Sequence, residues 1–167
     1  LQDKIAFLIH FKDFSGRKWA TIKMLKEDRT LAEELIRNPE NKVVIKNATG
    51  QAGKQVRVID TSNLNVEQVV DLMEKNGFNL LEAYVVQHDD LMRLSPAALN
   101  TVRIVTQYND GQAEVLLAFI RVSVNLSIDN LSAGNYGANF GAPIDLKSGK
   151  ISGPGMYIDV TKADEYY

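Results

Sequence analysis

Hydrophobic and polar positions in the first 40 residues alternate between helical and strand spacing. Residues 3–11 place apolar side chains at helical spacing behind Asp3, which predicts a short helix capped by that residue. Residues 19–24 alternate as a strand does. Thr30 and Glu33 then have capping-box spacing ahead of an apolar stripe, so we expect a second helix there.

The stretch 42–58 contains two short β-type runs on either side of a loop that carries Gly50 and Gly53. Glycine lets backbone N–H groups approach an anion without steric hindrance, and Lys46 and Lys54 supply positive charge for phosphate oxygens. This pattern is typical of a lid over a nucleotide phosphate. It is equally typical of a Gly-containing hairpin on a protein surface.

The following 30 residues again alternate between helix and strand signals. Asn65 and Gln68 repeat the capping pattern, which predicts a helix closed by Gly77. The β-branched and aromatic run 79–87 predicts a strand, and a short polar helix is expected at 88–94. Such alternation favours an α/β or α+β layered fold.

The two longest strand patterns, 100–108 and 113–124, are joined by a hairpin turn at 109–111. Arg103 and Arg121 interrupt their apolar runs. Because a buried arginine needs an anion or a carboxylate, both are candidates for lining a site; a partly exposed sheet face, from which each guanidinium reaches water, is the alternative.

The composition changes after residue 124, where glycine, asparagine and serine become frequent. We expect residues 125–155 to be mostly loop, with a tight hairpin over 145–151, and a final strand over 156–160. A long Gly- and Asn-rich segment is either a functional loop or a connector.

Composition and charge exclude several classes of protein. The chain has 167 residues, of which 45% are hydrophobic and 24% charged, as in a folded protein of one or two domains. A net charge of -2 argues against binding to nucleic acid or an anionic membrane surface. The absence of cysteine excludes disulfides and thiolate metal sites, and two histidines are too few for a His-rich metal centre. No apolar run reaches the ~20 residues of a membrane span, and no signal peptide opens the sequence, so we expect a cytoplasmic protein.

Several stretches, taken in order, resemble the ATP-grasp fold, in particular the branch found with sugar-transfer and surface-polysaccharide genes. The stretches that carry the resemblance are Asp3-Lys4 with Phe7, Lys46 ahead of the Gly50/Gly53 loop, Glu82 to Val85, Gln87-His88, Asn100 to Thr106, Arg121, Asp129-Asn130, and Pro143 to Asp145 with Ser148-Gly149. The resemblance implies an α+β fold of two subdomains with antiparallel sheets, 1–80 with the Gly-rich loop and 81–167, the latter incomplete at its C-terminal end. ATP would lie between them.

The resemblance also implies roles for individual residues. The predicted ATP-binding residues are Lys4, Lys46, Gly50, Gly53 and Lys54 at the phosphates and Glu82, Tyr84 and Val85 at the adenine. Arg103 and Arg121 would stabilise charge that develops on the transferred phosphoryl group. Asp129 and Asn130 would lie on the substrate side. His88 is either a general base or a residue that starts a helix.

Members of this fold activate a carboxylate as an acyl phosphate, release ADP, and use Mg²⁺. The family's acidic residue and Glu-x-Asn pair, which hold the metal, do not occur before Tyr167, so the chain is expected to be incomplete or non-catalytic. Asn47 and Gln55 also depart from the usual loop pattern, in which a proline follows the lysine and a glycine precedes the valine. These departures predict a less mobile loop.

Three functions follow as hypotheses. The first is an ATP-dependent carboxylate ligase that acts on a small-molecule or glycan precursor of a cell-surface polysaccharide. The second is a non-catalytic module that binds a nucleotide or a partner protein. The third is a structural domain with a Gly-rich surface loop. The sequence leaves the substrates and the oligomeric state open.

Overall fold

The computed structural model describes residues 3–50, 55–96, 99–123 and 139–157. The chain divides into two compact units, Leu1–Val86 and Gln87–Tyr167. The boundary lies after Val86 rather than after residue 80, because the strand that begins at Leu80 pairs within the first sheet. Among the described residues, the first unit combines several helices and the second unit one helix with a four-stranded antiparallel sheet, which is the predicted α+β class.

The first unit contains four helices and four strands within its described residues. In chain order they are α1 (Lys4–His10), β1 (Trp19–Thr21), α2 (Ile22–Glu27), α3 (Arg29–Ile36), β2 (Lys42–Lys46), β3 (Val56–Asp60), α4 (Val66–Lys75) and β4 (Leu80–Ala83), with a 3₁₀ turn at Lys12–Phe14. The strand order is β1-β4-β2-β3, so β4 lies between β1 and β2. The central position of β4 decides which side chains can meet at the site.

One face of this sheet is covered by α2, α3 and α4. Val43, Ile45 and Leu81 point to that face, and they are buried with Leu35 and Met73 from the helices. Successive side chains of a strand point to opposite faces, so Lys46 and Glu82 lie on the other face. The apolar core therefore covers one face of the sheet, and the opposite face carries the polar side chains Lys46 and Glu82.

Helix caps agree with the sequence patterns at two of the four α-helices of this unit. The Asp3 carboxylate accepts from the N–H groups at the start of α1, and Asn65 and Gln68 form the predicted capping box of α4. The predicted strand over 19–24 is wrong beyond Thr21, whose hydroxyl caps α2 instead. The predicted cap of α3 is also wrong, because Asp28 occupies that position.

The Asn65 cap gives a testable prediction for stability. Asn65→Ala removes the side-chain acceptor for the Gln68 N–H, 2.8 Å away, and is expected to lower the free energy of unfolding of this unit by about 1 kcal/mol. Chemical denaturation followed by the fluorescence of Trp19, the single tryptophan, measures this change. Asn63→Ala, in the exposed turn just before the helix, is the matched control, and an equal effect of both substitutions would contradict the capping role.

The second unit is built on one long hairpin. Its elements are α5 (Asp89–Leu94), β5 (Thr101–Asn109), β6 (Gln112–Ser123), β7 (Asn139–Ile144) and β8 (Met156–Tyr157). The strands follow one another in the sheet in chain order. The predicted hairpin turn is confirmed, with Asp110 and Gly111 both at positive φ, as a two-residue turn with twisted strands requires.

Two strands, one in each unit, differ from the sequence patterns. Residues 139–144 were expected to be loop, yet they form β7 between β6 and β8, and Phe140 and Ala142 pack with Ile120 and Val122. The predicted strand over 79–87 stops at Ala83. The tight hairpin near 145–151 is confirmed by the Asp145 carboxylate, which accepts from the Ser148 N–H at 2.8 Å.

His88 begins α5, where its Nδ1 accepts from the Asp90 N–H at 3.2 Å. This contact favours the helix-start interpretation of the residue over a general base. Among the described helices, none is both long and apolar enough to cross a membrane.

Candidate functional site

The candidate site is centred on Glu82, in the middle of β4. Its neighbours in the sheet are Trp19 on β1 and Val44 on β2, and all three side chains lie on the face opposite the helices. Glu82 is buried, with 2% of its surface exposed. A buried carboxylate requires cationic or hydrogen-bonding partners, because removing its charge from water is costly.

Two cations contact the same oxygen of Glu82. Lys46, at the end of β2, places Nζ 2.5 Å from Oε2, and Arg17, two residues before Trp19, places Nε 2.9 Å from the same atom. The Lys46 side chain is largely buried, whereas that of Arg17 is 39% exposed. The carboxylate thus holds one buried and one half-exposed cation.

A third cation, Lys4, lies beside this pair. Its Nζ donates to the backbone carbonyls of Asn47 and Ala48, at 3.3 and 3.1 Å, and also to that of Gly50. Its own N–H donates to the Ala48 carbonyl at 3.0 Å. Lys4 therefore ties the start of α1 to the turn that follows β2.

The charges at this point do not balance. Burial lowers the pKa of Lys46, Glu82 opposes that effect, and Arg17 and Lys4 add to it through repulsion. Two cations contact one carboxylate, and the third, Lys4, is near enough to repel Lys46, so the cluster carries an excess of two positive charges on a partly dehydrated surface. Such an arrangement favours an anionic ligand, and phosphate oxygens suit ammonium and guanidinium donors.

The turn after β2 is held by asparagine side chains. Asn47 accepts from the Thr49 N–H at 2.9 Å and donates to the Gly77 carbonyl at 3.1 Å, and Asn79 accepts from the Ala48 N–H at 2.8 Å. The Asn47 N–H also donates to the Gln55 carbonyl at 3.1 Å, a bond that a proline there does not make. Asparagine in place of proline at position 47 therefore adds a hydrogen bond that joins the two ends of the loop.

Gly50 lies where the chain packs closely on itself. A Cβ at this position would come within 2.5 Å of the Gln55 side chain and 3.2 Å of the Asn47 carbonyl oxygen. Its N–H donates to that same carbonyl at 3.1 Å. A larger residue here would require the Gln55 side chain to shift, so glycine suits the close packing of this turn. The predicted partners Gly53 and Lys54 lie outside the described residues.

A pocket of about 510 Å³ adjoins Arg17. Its lining is Phe7, Leu8, Phe11, Phe14, Ser15, Gly16, Arg17 and Val85. The pocket is mainly aromatic and aliphatic, with the arginine as its charged wall. Val85, predicted to contact adenine, therefore faces an apolar space next to the cationic cluster.

The three predicted adenine contacts have different surroundings. Lys46 and Arg17 both contact Oε2 of the Glu82 carboxylate, so this oxygen already has two cationic partners. Tyr84 is half-buried with Lys42 Nζ 5.5 Å from its ring centre, and Val85 is half-buried. The structure brings Glu82 together with Lys46, while the hinge role itself stays a prediction.

Arg103 and Arg121 belong to the second unit and share one face of its sheet. Thr101 pairs with Arg121 and Arg103 pairs with Phe119, so the two arginines are diagonal neighbours across β5 and β6. Arg103 is exposed and Arg121 is half-buried. That face is opposite the apolar cluster of the unit, as the sequence predicted for Arg103.

The predicted substrate residues Asp129 and Asn130 lie outside the described residues. Within the ranges that the structure does describe, no three His, Asp or Glu side chains are close enough to hold a metal ion. The Mg²⁺ prediction therefore has no residues assigned to it.

Arg17 is not among the residues that the sequence patterns single out. Its contact with Glu82 depends on the pairing of β1 with β4, which brings together residues far apart in the chain. The only local signal is an arginine two positions before a strand residue. Such an arginine is too common in sequences to indicate a site unless the order of the strands is also known.

One comparison with known proteins identifies a family for this chain. The family model described as sugar-transfer associated ATP-grasp matches residues 10–164, nearly the whole chain. No curated protein and no solved structure shows a significant match. The family indicates an ATP-dependent, ligase-like function associated with sugar transfer. On the extent of that match and the α+β architecture of both units, the chain belongs to the sugar-transfer-associated ATP-grasp family.

Proposed function

We propose that the protein is an ADP-forming carboxylate ligase that binds ATP phosphates through Lys4 and Lys46, in the cluster that these residues form with Arg17 and Glu82. The observation that carries the proposal is the excess of positive charge at this cluster, next to the turn that contains Gly50. ATP brings several negative charges and a planar base. The cluster suits the phosphates, and the apolar surface at Val85 suits the base.

Lys46 is the proposed principal phosphate ligand. It already lies 2.5 Å from Glu82, and an ammonium on a flexible stem can exchange a carboxylate oxygen for a phosphate oxygen with a small movement. Lys4 contributes charge from the other side while it holds the backbone carbonyls of the turn. We propose that Gly50, with Gly53 and Lys54, covers the phosphates.

Adenine is proposed to lie against the segment from Tyr84 to Val85. Because the Glu82 carboxylate is committed to two cations, the exocyclic amine would be recognised by backbone carbonyls rather than by that side chain. Paired donors and acceptors from neighbouring peptide groups match the edge of the ring. Apolar side chains then contact its faces.

The proposed reaction has two steps. A carboxylate oxygen of the substrate attacks the γ-phosphorus, the bond to the bridging oxygen breaks, and ADP leaves to give an acyl phosphate. An amine or another nucleophile then attacks the acyl carbon, phosphate leaves, and the nucleophile loses a proton. We propose that Arg103 and Arg121 stabilise the negative charge in these steps, with Asp129 and Asn130 on the substrate side and Mg²⁺ as the companion of ATP.

The substrate class is proposed from the sugar-transfer association of the family. We propose small carboxylates among the precursors of a cell-surface polysaccharide, activated in the cytoplasm, where ATP is available. A module that binds a nucleotide without turnover is the alternative.

Two measurements test this proposal on the protein. Titration calorimetry with AMP-PNP and MgCl₂ tests binding, and ADP release from ATP in the presence of sugar carboxylates tests turnover. Hydroxylamine serves as the nucleophile and converts an acyl phosphate to a detectable hydroxamate. Hydroxamate formation supports the ligase, binding without ADP release supports the binding module, and no binding contradicts both.

A further inference from the structure

We propose that Arg17 is a positioning residue that keeps Glu82 paired when Lys46 moves to the nucleotide phosphates. This inference rests on the proposed ATP site and adds a residue that neither the sequence patterns nor the family match assigns. It is carried by the sharing of one carboxylate oxygen between two cations.

The shared oxygen creates a competition. Lys46 is hydrogen-bonded to Glu82 Oε2, so a phosphate that takes this ammonium must draw it away from the carboxylate. Glu82 is only 3% exposed at its side chain, so water does not readily replace the lost partner. A buried carboxylate left alone would oppose nucleotide binding.

Arg17 keeps the buried Glu82 carboxylate paired with a cation, so that the carboxylate does not oppose nucleotide binding. Its Nε is 2.9 Å from the same oxygen, and its attachment ahead of β1 is independent of β2, which carries Lys46. When Lys46 moves, the guanidinium stays and Glu82 remains paired. The charged groups that contact or repel Lys46 are Glu82, Arg17 and Lys4, so among them Arg17 is the one cation that can serve as the remaining partner.

The location of Arg17 supports this role over a general structural one. Its side chain is 39% exposed and lines the pocket with Val85, so it lies at the edge of the proposed nucleotide site. From this edge the guanidinium can keep its contact with Glu82 while a nucleotide enters.

The expected effect of Arg17→Gln is selective. AMP-PNP affinity should fall about tenfold, because release of Lys46 then leaves Glu82 without a cation. Adenosine has no phosphate and does not draw Lys46 away, so its affinity should change less than twofold. Arg29→Gln, on the exposed surface of α3, makes the same change of charge and is the matched control.

A double-mutant cycle with Glu82→Gln tests whether Arg17 acts on AMP-PNP affinity through the Glu82 carboxylate or by direct contact with phosphate. If Arg17 acts through the carboxylate, Arg17→Gln changes AMP-PNP affinity less than twofold when Glu82 is already neutral. An undiminished tenfold loss in that background would show direct contact with phosphate and overturn the inference. If Glu82→Gln does not fold, the comparison of AMP-PNP with adenosine decides: equal losses for both ligands overturn the inference. Failure of the unsubstituted protein to bind either ligand would instead contradict the proposed function.

Discussion

Replacing Lys46 with alanine is expected to weaken AMP-PNP binding by roughly 10- to 100-fold, the range for loss of a charge-assisted hydrogen bond to an anion. The substitution removes the proposed principal phosphate ligand. The fold should survive, because Arg17 remains 2.9 Å from Glu82 and keeps that carboxylate paired. Calorimetry at fixed salt measures the change in affinity, and fluorescence of Trp19 verifies that the first unit is folded.

The matched control is Lys23→Ala on the exposed surface of α2, which makes the same change of net charge. It should change affinity less than twofold. An equal loss in both variants would mean that only the overall charge matters and would contradict a specific phosphate site.

The same lysine predicts a pH dependence. Burial lowers the pKa of Lys46 below its ordinary value of 10.5, so its ammonium is lost at a lower pH than that of a solvent-exposed lysine. AMP-PNP affinity should therefore fall as the pH rises through the alkaline range below 10.5. This fall should be absent in Lys46→Ala, and a dependence that is unchanged in the variant would assign it to another group.

Replacing Glu82 with alanine is expected to lower the free energy of unfolding of the first unit by about 3 kcal/mol. The carboxylate accepts from Lys46 and Arg17, and its loss leaves a largely buried ammonium with two neighbouring cations and no counter-ion. Denaturant unfolding followed by Trp19 fluorescence is suited to this measurement, because Trp19 pairs with Glu82 across the sheet. A shift of the midpoint with unchanged slope would indicate a change in stability alone.

Glu27→Ala provides the comparison for Glu82. Glu27 is exposed and lies 3.8 Å from Lys23 in a surface pair, so its removal should change stability by less than about 0.5 kcal/mol. Similar losses for Glu27 and Glu82 would show that burial of the carboxylate has no special importance. Glu82 would then contribute no more to the stability of the sheet than a surface carboxylate does.

Local sequence patterns predicted the elements whose stability is local. The α4 capping box uses residues three positions apart, and the turn at Asp110 and Gly111 joins adjacent strands, so both are recognisable from neighbours in the chain. The strand β7 was missed because its side chains lack strict alternation and its order comes from pairing with β6. The cap of α3 was misplaced by two residues because Asp28 and Thr30 are both suitable cap residues.

By itself, the sequence determined the α+β class, most helices and strands, and the family, and it singled out Lys4, Lys46, Gly50 and Glu82 as site candidates. Only the tertiary structure decided that Glu82 is buried and shared by Lys46 and Arg17. The reason is physical: an ion pair depends on distance in space, and the register of β1 and β2 against β4 fixes that distance. Strand register arises from burial of the opposite face of the sheet, which no short stretch of sequence specifies.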